Sequence, residues 1–393
     1  MNDLPIDESF EPAVVNENSL ASMVDSIRRT VGNDKVLAAV SGGVDSTVAT
    51  LLAIRALGDR VAPVLVDTGF LREDEAEWVS QLFKRASGME IGIVDRSRHY
   101  YSVLTGITHA EEKRAVFREL FYSHIREEAE RLGCRWVLQG TIAPDWIETS
   151  GGIKTQHNVL EQIGIKTEEK YGFSLLEPLA RLYKDQVRSL GRHLGLPKEF
   201  TERQPFPGPG LLIRMPGEFS PEKLKVVRHA TRRVEEALRK YSPSQYFAAV
   251  FDYPRSITDM NIEGVDTLAF RENVTGVMGD SRVYGGLLGV APKADAHFGN
   301  QRLYEDSDSL LRKILQSKGR YFRLCISLDA KKDGRYAIVM RSVRTSDYMT
   351  AEVLKPEFAE VKSLASSILD ELKEVRHVFF DVTPKPPATI EYE

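Results

Sequence analysis

The stretch AVSGGVDSTVATLL, residues 39–52, places two glycines, two serines and one acid between an apolar run and a helical run. The apolar residues 36–40 are rich in β-formers, and the helical pattern at 46–57 stops at Gly58. A strand, loop and helix in this order are typical of an open α/β sheet, where ligands bind beyond the carboxyl ends of the strands. The sequence therefore predicts a ligand-binding loop at 41–46.

The composition of this loop favours the binding of an anion. Gly42 and Gly43 allow backbone N–H groups to close around a phosphate, and Ser41 and Ser46 add hydroxyl donors. An alternative stays open, in which the segment is a glycine-rich turn and Asp45 caps the helix. The loop has neither the GxxxxGK[ST] nor the GxGxxG pattern, which disfavours a P-loop kinase and a Rossmann dehydrogenase.

Strand and helix patterns alternate through the first half of the chain. Short apolar runs predict further strands at 61–66, 91–94 and 136–138, and periodic segments predict helices at 73–86, at 110–132 and from Tyr183 to Gly195. This spacing predicts a parallel sheet flanked by helices on both faces.

The segment QPFPGPG, at 204–210, marks a change of character, and it predicts a boundary between a domain at 1–210 and a domain at 211–393. The second domain is expected to be a smaller α+β domain. Its predicted helices and strands are helices at 221–241 and 357–372 and strands at 246–251, 274–278, 321–328, 336–343 and 375–382. Two polar stretches are interpreted as insertions, at 252–272 and at 293–319, the second with a short helix at 309–315.

Composition argues against several classes of protein. The net charge is −4 with acids and bases interspersed, which disfavours a nucleic-acid substrate. Neither a signal peptide nor a run long enough to span a membrane is visible, so a soluble, cytoplasmic protein is expected. Cys134 and Cys325 are far apart and outside any CxxC pattern, which indicates neither a disulfide framework nor a zinc site.

The hexapeptide SGGVDS resembles the pyrophosphate-binding loop of N-type ATP pyrophosphatases, which cleave ATP between the α- and β-phosphates and adenylate a carbonyl oxygen. Other motifs resemble GMP synthase more specifically. They are VDTGFLR (66–72), TGITHAEEKR (105–114), QGTIAPDWIE (139–148), IKTQHNV (153–159), EPLARLYKDQVR (177–188), RQPFPGPGL (203–211) and KPPATIEYE (385–393). Together they cover the chain from about residue 34 to the end, except for the two polar stretches.

The resemblance implies that ATP adenylates O2 of the xanthine ring of XMP, that pyrophosphate leaves, and that ammonia displaces AMP to give GMP. It implies ATP as a substrate and Mg²⁺ as a cofactor, with Asp45 as a ligand of the metal. The residues implied to hold ATP are Ser41, Gly42, Gly43, Val44, Asp45, Ser46, Asp67, Gln139, Gly140 and Thr141.

A polar stretch with flanking glycines carries Asp145, Glu148, Lys154 and His157. It resembles a lid that closes over ATP and contributes its acids and its lysine to catalysis. The alternative is an exposed polar loop with a satisfied histidine. The family often has histidine where this chain has Gln156 and Gln204, so an acid–base role at those two positions is in doubt.

Lys184 and Asp185 begin a helix, where the acid alone could complement the helix dipole. The resemblance adds a catalytic role for both residues.

The resemblance also implies an XMP site. It assigns Arg72 to recognition of the nucleotide, Lys385 to the phosphate, and Glu391, with Ile390, to the base, while Arg341 is a weaker candidate for the same site or its support. The tail alternates like a strand, and this role requires it to be ordered although chain ends usually fray.

Only about 35 residues precede the first predicted strand, which leaves no room for a glutaminase domain with its nucleophilic cysteine. The resemblance therefore implies a synthetase subunit that takes free ammonia or receives it from a separate glutaminase subunit, and its second domain implies a homodimer. Two alternatives stay open. The chain could be another adenylating ligase with the same loop, such as a NAD synthetase or a tRNA-modifying enzyme, or a non-catalytic nucleotide-binding subunit.

Overall fold

The structure is a computed structural model, and it describes residues 16–143, 166–257, 262–279, 281–315, 321–346 and 348–393. The chain forms two compact units. The first contains the residues up to Tyr100 together with Arg114–Gly208, and the second contains Tyr101–Lys113 and Pro209–Glu393. The sequence analysis leaves 101–113 in the first domain, whereas the structure assigns this segment to the second unit.

A five-stranded sheet forms the centre of the first unit. Its strands are β1 (Val36–Ala39), β2 (Val61–Asp67), β3 (Gly92–Asp95), β4 (Trp136–Leu138) and β5 (Ser174–Leu176). Their order is β3-β2-β1-β4-β5, and every neighbouring pair is parallel, which confirms the predicted parallel sheet. The order reverses between β1 and β4, the kind of switch point at which open α/β sheets bind ligands.

Helices cover both faces of this sheet. Among the described residues up to 201, the helices are α1 (Glu17–Val31), α2 (Val44–Leu57), α3 (Glu75–Ser87), α4 (Ser97–Leu104), α5 (Ala110–Leu132), α6 (Thr167–Tyr171), α7 (Lys184–His193) and α8 (Lys198–Thr201), with part of α4 and the start of α5 assigned to the second unit. Val36 and Ala38 of β1 pack in one apolar cluster with α1, α2, α3 and α7. Leu37, between them, packs on the opposite face with Ile125 of α5, because successive side chains of a strand point to opposite faces.

The second unit is built on a mixed sheet. Its strands are β6 (Gln245–Asp252), β7 (Arg255–Ile257), β8 (Val265–Met278), β9 (Ser281–Pro292), β10 (Tyr321–Ala330), β11 (Tyr336–Arg344), β12 (Glu352–Val353) and β13 (Val375–Asp381). The order is β12-β11-β13-β10-β9-β8-β7, with β6 also paired to β11. The pairs β9–β10 and β11–β13 are parallel, and the other neighbouring pairs are antiparallel.

Much of the stretch 252–272, interpreted from its polarity as an insertion, belongs to this sheet through β7 and β8. The sequence analysis also misses β9, whose glycines are not typical of a strand. The structure explains one of them, because a Cβ on Gly285 would lie 2.0 Å from the ring of Phe322.

In the described part of the second unit, the helices after the connector, the segment at 204–210, are α9 (Pro221–Leu238), α10 (Asn300–Glu305), α11 (Ser307–Leu315) and α12 (Phe358–Glu371). The short helix predicted at 309–315 is confirmed by α11. None of the helices within the described residues combines the length and the apolarity needed to cross a bilayer.

A fully buried carboxylate, Asp381, organises the end of the chain. Its Oδ2 atom accepts a hydrogen bond from Tyr392 Oη (2.8 Å). The same atom forms ion pairs with Arg341 Nη1 (2.8 Å) and Arg323 Nη1 (3.1 Å). Burial by itself raises the pKa of Asp381, but Arg341 and Arg323 outweigh it and hold the pKa below the ordinary value. The two arginines in turn bind the tail, because both donate to the carbonyl oxygen of Thr389.

The tail is ordered, as its predicted role requires, but it is not a strand. It pairs with the rest of the unit through isolated bridges, Ala388 with Gly276 and Lys385 with Ala351. Side-chain hydrogen bonds from the buried arginines therefore stabilise the tail in place of the backbone hydrogen bonds of a paired strand.

Replacing Asp381 with asparagine is expected to lower the free energy of unfolding by about 3–5 kcal/mol, because it leaves buried guanidinium charge uncompensated. Urea unfolding measures the loss. Glu371→Gln is the matched control, since this glutamate binds Arg233, His229 and Ser367 in partly exposed contacts worth at most about 1 kcal/mol each. A loss for Asp381→Asn no larger than the control would contradict the expectation. In the parent protein the contribution of Asp381 is complete above about pH 4 and is lost as the pH falls further, since the folded pKa is the lower one.

Candidate functional site

The loop at 41–46 folds onto the first turn of α2. The hydroxyl oxygens of Ser41 and Ser46 lie 3.0 Å apart, and Ser46 Oγ also donates to the carbonyl oxygen of Gly43 (3.2 Å). The helix begins at Val44 with the extended Gly43 as its N-cap, so the alternative in which Asp45 caps the helix is wrong. The loop therefore leads directly into a helix N-terminus, whose first N–H groups are free of intrahelical partners and favour an anion.

Two glycines let neighbouring elements approach this loop closely. A Cβ on Gly140, just after β4, would lie 2.5 Å from the backbone nitrogen of Ser46. Gly42 has a φ of +78°, and a Cβ there would lie 2.8 Å from Cγ2 of Val79 in α3. Both glycines were predicted as ATP-binding residues, and the structure shows that neither position has room for a side chain.

A lysine and an aspartate meet beside the loop. Lys184 Nζ, at the first residue of α7, lies 2.6 Å from Asp45 Oδ2, and about a quarter of each side chain is exposed. The other oxygen, Asp45 Oδ1, is buried and has no hydrogen-bond partner among the residues that the structure describes. An unsatisfied carboxylate oxygen beside a helix N-terminus that favours anions fits a divalent cation, which Asp45 could help to hold. No cluster of three or more histidine, cysteine or acidic side chains that could hold a metal occurs within the described residues.

The neighbouring acid is placed differently. The side chain of Asp185 is 96% exposed, and its ion pair is with Arg188 of the same helix (3.7 Å). This arrangement favours the alternative in which Asp185 complements the dipole of α7.

The remaining polar residues predicted to hold ATP lie at the carboxyl ends of the strands on either side of β1. Asp67 Oδ1 accepts from the N–H two residues on (2.8 Å) and shapes the turn after β2. After β4, Gln139 Nε2 donates to Tyr122 Oη (2.6 Å), and the hydroxyl of Thr141 donates to Glu177. The strand order thus brings these side chains to the edge of the sheet where the loop lies.

Arg72 is buried against the connector that follows α8. Its guanidinium lies 4.1 Å from the ring centroid of Phe206, and its Nη1 lies 3.7 Å from Glu75 Oε2. Glu75 also accepts two hydrogen bonds of 2.6 Å each from Arg203, whose guanidinium stacks on Trp78. The sequence analysis misses Glu75 and Arg203 as partners. Arg203 belongs to a quoted motif, but the sequence around Glu75 contains no signal of this role.

Four residues predicted as catalytic, Asp145, Glu148, Lys154 and His157, lie outside the described residues, as does Gln156.

In the second unit, the tail carries three of the residues predicted to bind XMP: Lys385, Ile390 and Glu391. Glu391 accepts two hydrogen bonds from Arg214, one from Nε (3.1 Å) and one from Nη2 (2.9 Å). Lys385 Nζ donates to the carbonyl oxygen of Tyr348, and Ile390 packs into the apolar core of the unit.

Arg341 is fully buried and is occupied by Asp381 and by the carbonyl oxygens of Thr383 and Thr389 (both 3.0 Å). This position favours the predicted role in support of the site over direct contact with a ligand. The sequence analysis misses Arg214, Arg323 and Asp381, because isolated charged residues in apolar runs give no indication of their partners.

Comparison with known proteins assigns the family. The family model for the GMP synthase C terminal domain matches residues 325–392, and the model for NAD synthase matches residues 16–208. The chain is 46% identical over 379 residues to a subunit of the glutamine-hydrolyzing GMP synthase of Saccharolobus solfataricus, and the match covers 95% of this chain and 99% of that protein. The chain belongs to the GMP synthase family.

Other members of the GMP synthase family match over similar lengths. The corresponding subunit from Archaeoglobus fulgidus is 38% identical over 96% of this chain and 99% of its own, and that from Pyrococcus furiosus is 36% identical over 96% and 97%. Among solved structures, the NH3-dependent NAD synthetase from Campylobacter jejuni matches 58% of this chain and 88% of its own at 17% identity and a TM-score of 0.39. The resemblance to GMP synthase is confirmed, and with it the prediction of a ligase that forms carbon–nitrogen bonds.

Replacing Gly140 with alanine is expected to weaken ATP binding by about tenfold or more, because the new methyl group must displace the backbone at the start of α2. Titration with ATP by calorimetry measures the affinity. Gly299→Ala is the matched control, since Gly299 has ordinary backbone angles and no atoms within 4 Å of the added Cβ. Unchanged affinity in Gly140→Ala would show that the close approach is not needed for binding.

Proposed function

We propose that this chain is the synthetase subunit of a GMP synthase, which uses ATP to activate XMP and ammonia to aminate it. The observation that supports the proposal most strongly is the presence of both substrate motifs in a chain matched over 95% of its length by a relative of that name. The first motif is the loop at 41–46, and the second is the tail at 385–393, which buried arginines hold in place.

In the first step, O2 of the xanthine ring attacks the α-phosphorus of ATP, and the bond to the bridging oxygen of the pyrophosphate breaks. The departing pyrophosphate gathers negative charge. The N–H groups at the start of α2, the hydroxyls of Ser41 and Ser46, and the ammonium of Lys184 are the groups suited to stabilise it. Gly140 lies close to the backbone of Asp45 and Ser46, which leaves the first turn of α2 little room to shift.

A bound Mg²⁺ would neutralise phosphate charge. Asp45 is the residue suited to hold it, through the buried oxygen that Lys184 leaves unused. Its other ligands would include phosphate oxygens and water.

In the second step, ammonia attacks C2 of the adenylated ring, and AMP departs with the former O2 atom to leave GMP. The relatives are named as one subunit of a glutamine-hydrolysing enzyme. We therefore propose a separate glutaminase subunit as the source of ammonia. A homodimer formed through the second unit, a cytoplasmic location and the absence of a nucleic-acid substrate complete the proposal.

The two alternatives from the sequence have less support. A thiolating tRNA-modifying enzyme would need a reactive cysteine, but burial raises the pKa of both Cys134 and Cys325. The match to the GMP synthase C terminal domain at 325–392 distinguishes the chain from a NAD synthetase. A non-catalytic subunit would need neither the Lys184–Asp45 pair nor an ordered tail.

The deciding experiment follows pyrophosphate release from ATP and Mg²⁺ with ammonium chloride, in the presence and absence of XMP, and identifies GMP by chromatography. XMP-dependent release with GMP formed, and loss of both in Lys385→Ala, would support the function. If XMP stimulates nothing while ATP binds, the substrate assignment is wrong and only the nucleotide loop stands.

Lys184→Met is expected to lower kcat for pyrophosphate release about a hundredfold, because one cation that faces the leaving group is lost. Steady-state kinetics with saturating XMP measure the change. Lys198→Met is the matched control, since Lys198 is an exposed lysine whose ion pair is with Glu202, one helical turn further on. Equal rates in the two variants would remove Lys184 from the mechanism.

A further inference from the structure

Arg214 binds the carboxylate of Glu391 from its buried side. Arg214 lies in the short 3-10 turn Gly210–Arg214 that follows the connector, and its side chain is completely buried. Two of its nitrogens bind the two oxygens of Glu391, Nε to Oε2 at 3.1 Å and Nη2 to Oε1 at 2.9 Å. The guanidinium also stacks on the ring of Phe247, 4.0 Å from its centroid, which fixes its plane.

The two side chains of this ion pair differ in their exposure to solvent, and an ion pair with a purely structural role would not require such a difference. Arg214 has no exposed side-chain surface, whereas 16% of the Glu391 side chain is exposed. An ionised carboxylate has about four acceptor positions on its two oxygens, and Arg214 uses one on each oxygen. The carboxylate therefore keeps acceptor capacity on its exposed side while its orientation is set from the buried side.

The backbone around Glu391 is held as well. The carbonyl oxygen of Glu391 accepts a hydrogen bond from Arg323 Nη2, within the buried cluster of Asp381. At the last residue, Glu393 binds the buried Lys113 Nζ (2.8 Å) and the N–H of Gly217 (3.2 Å). A chain end would otherwise fray, so these contacts leave the Glu391 carboxylate with little freedom to reorient.

We infer that Arg214 is a positioning residue for substrate recognition: it aims the carboxylate of Glu391 at a ring N–H donor of a 6-oxopurine nucleotide. The inference rests on the proposed function, in which Glu391 contacts the base. A purine ring N–H gives a directional hydrogen bond to a carboxylate, and the strength of this bond depends on the orientation that the arginine imposes on the carboxylate.

The test is a double-mutant cycle of Arg214→Met and Glu391→Gln, with KM for XMP, KM for ATP and kcat of pyrophosphate release measured for each protein. Arg214→Met is expected to raise KM for XMP about tenfold, the effect of one charge-assisted contact, and to leave KM for ATP within about twofold. If Arg214 acts through Glu391, the double variant shows no larger rise than Glu391→Gln alone, because residues in one contact are not additive.

Two further variants keep the test informative if Arg214→Met folds poorly. Arg214→Lys keeps the charge but loses the fork, so it is expected to fold and still to raise KM for XMP. Arg233→Met removes an arginine that pairs with Glu236 and Glu371, and it is expected to leave every kinetic constant unchanged. Thermal unfolding of each protein separates a loss of recognition from a loss of fold.

The outcomes separate the inference from the function on which it rests. If the parent protein forms no GMP, the proposed function falls and the inference falls with it. If GMP forms and Glu391→Gln raises KM for XMP, but the Arg214 variants do not, or their effects add to that of Glu391→Gln, the inference is overturned and the function stands. An equal rise in KM for XMP and for ATP in Arg214→Lys would also overturn it, since that pattern indicates a general loss of structure.

Discussion

The first unit depends on the reversal of strand order in its sheet. Because the order reverses between β1 and β4, the segments that leave these strands diverge and open a crevice at their carboxyl ends. The loop at 41–46 occupies that point, and Gly140 lets the end of β4 approach its backbone without a side chain between them. The positive end of α2, the pair formed by Lys184 and Asp45, and the turn after β2 all follow from this arrangement.

The second unit is distinguished by the ordered end of the chain. Proline-rich tails without a strand ladder usually fray. Here the buried carboxylate of Asp381 pairs with Arg323 and Arg341, and Nη2 of each arginine donates to the carbonyl oxygen of Thr389 in the tail. Burying the charges of Asp381, Arg323 and Arg341 costs free energy unless each charge has its partners. A different conformation of the tail would therefore break this cluster. A residue such as Glu391 can then offer a carboxylate in a fixed direction.

The two units differ in how far their charged side chains are exposed to solvent. In the first, the side chains that face the loop keep some exposure, as Lys184 and Asp45 do, and Asp45 keeps an unsatisfied oxygen. In the second, Arg214, Arg323 and Arg341 have none, and Glu391, which the resemblance assigns to the base of XMP, is held by Arg214 at its carboxylate and by Arg323 at its carbonyl oxygen. Groups that contact a ligand need surface, whereas groups that orient them gain strength from exclusion of water.

The parallel sheet, the loop at 41–46, most helices and the family can be predicted from the amino-acid sequence, because apolar periodicity, capping glycines and contiguous motifs are local signals. Prediction failed where local signals mislead: the glycines of β9 concealed a strand, the polar residues before Val274 concealed most of β8, and the alternation of the tail suggested a strand that does not form. The folded chain alone reveals which charges meet, as with Lys184 and Asp45, 139 residues apart, or Arg214 and Glu391, 177 apart. Such pairs depend on how the whole chain folds, and no periodicity encodes them.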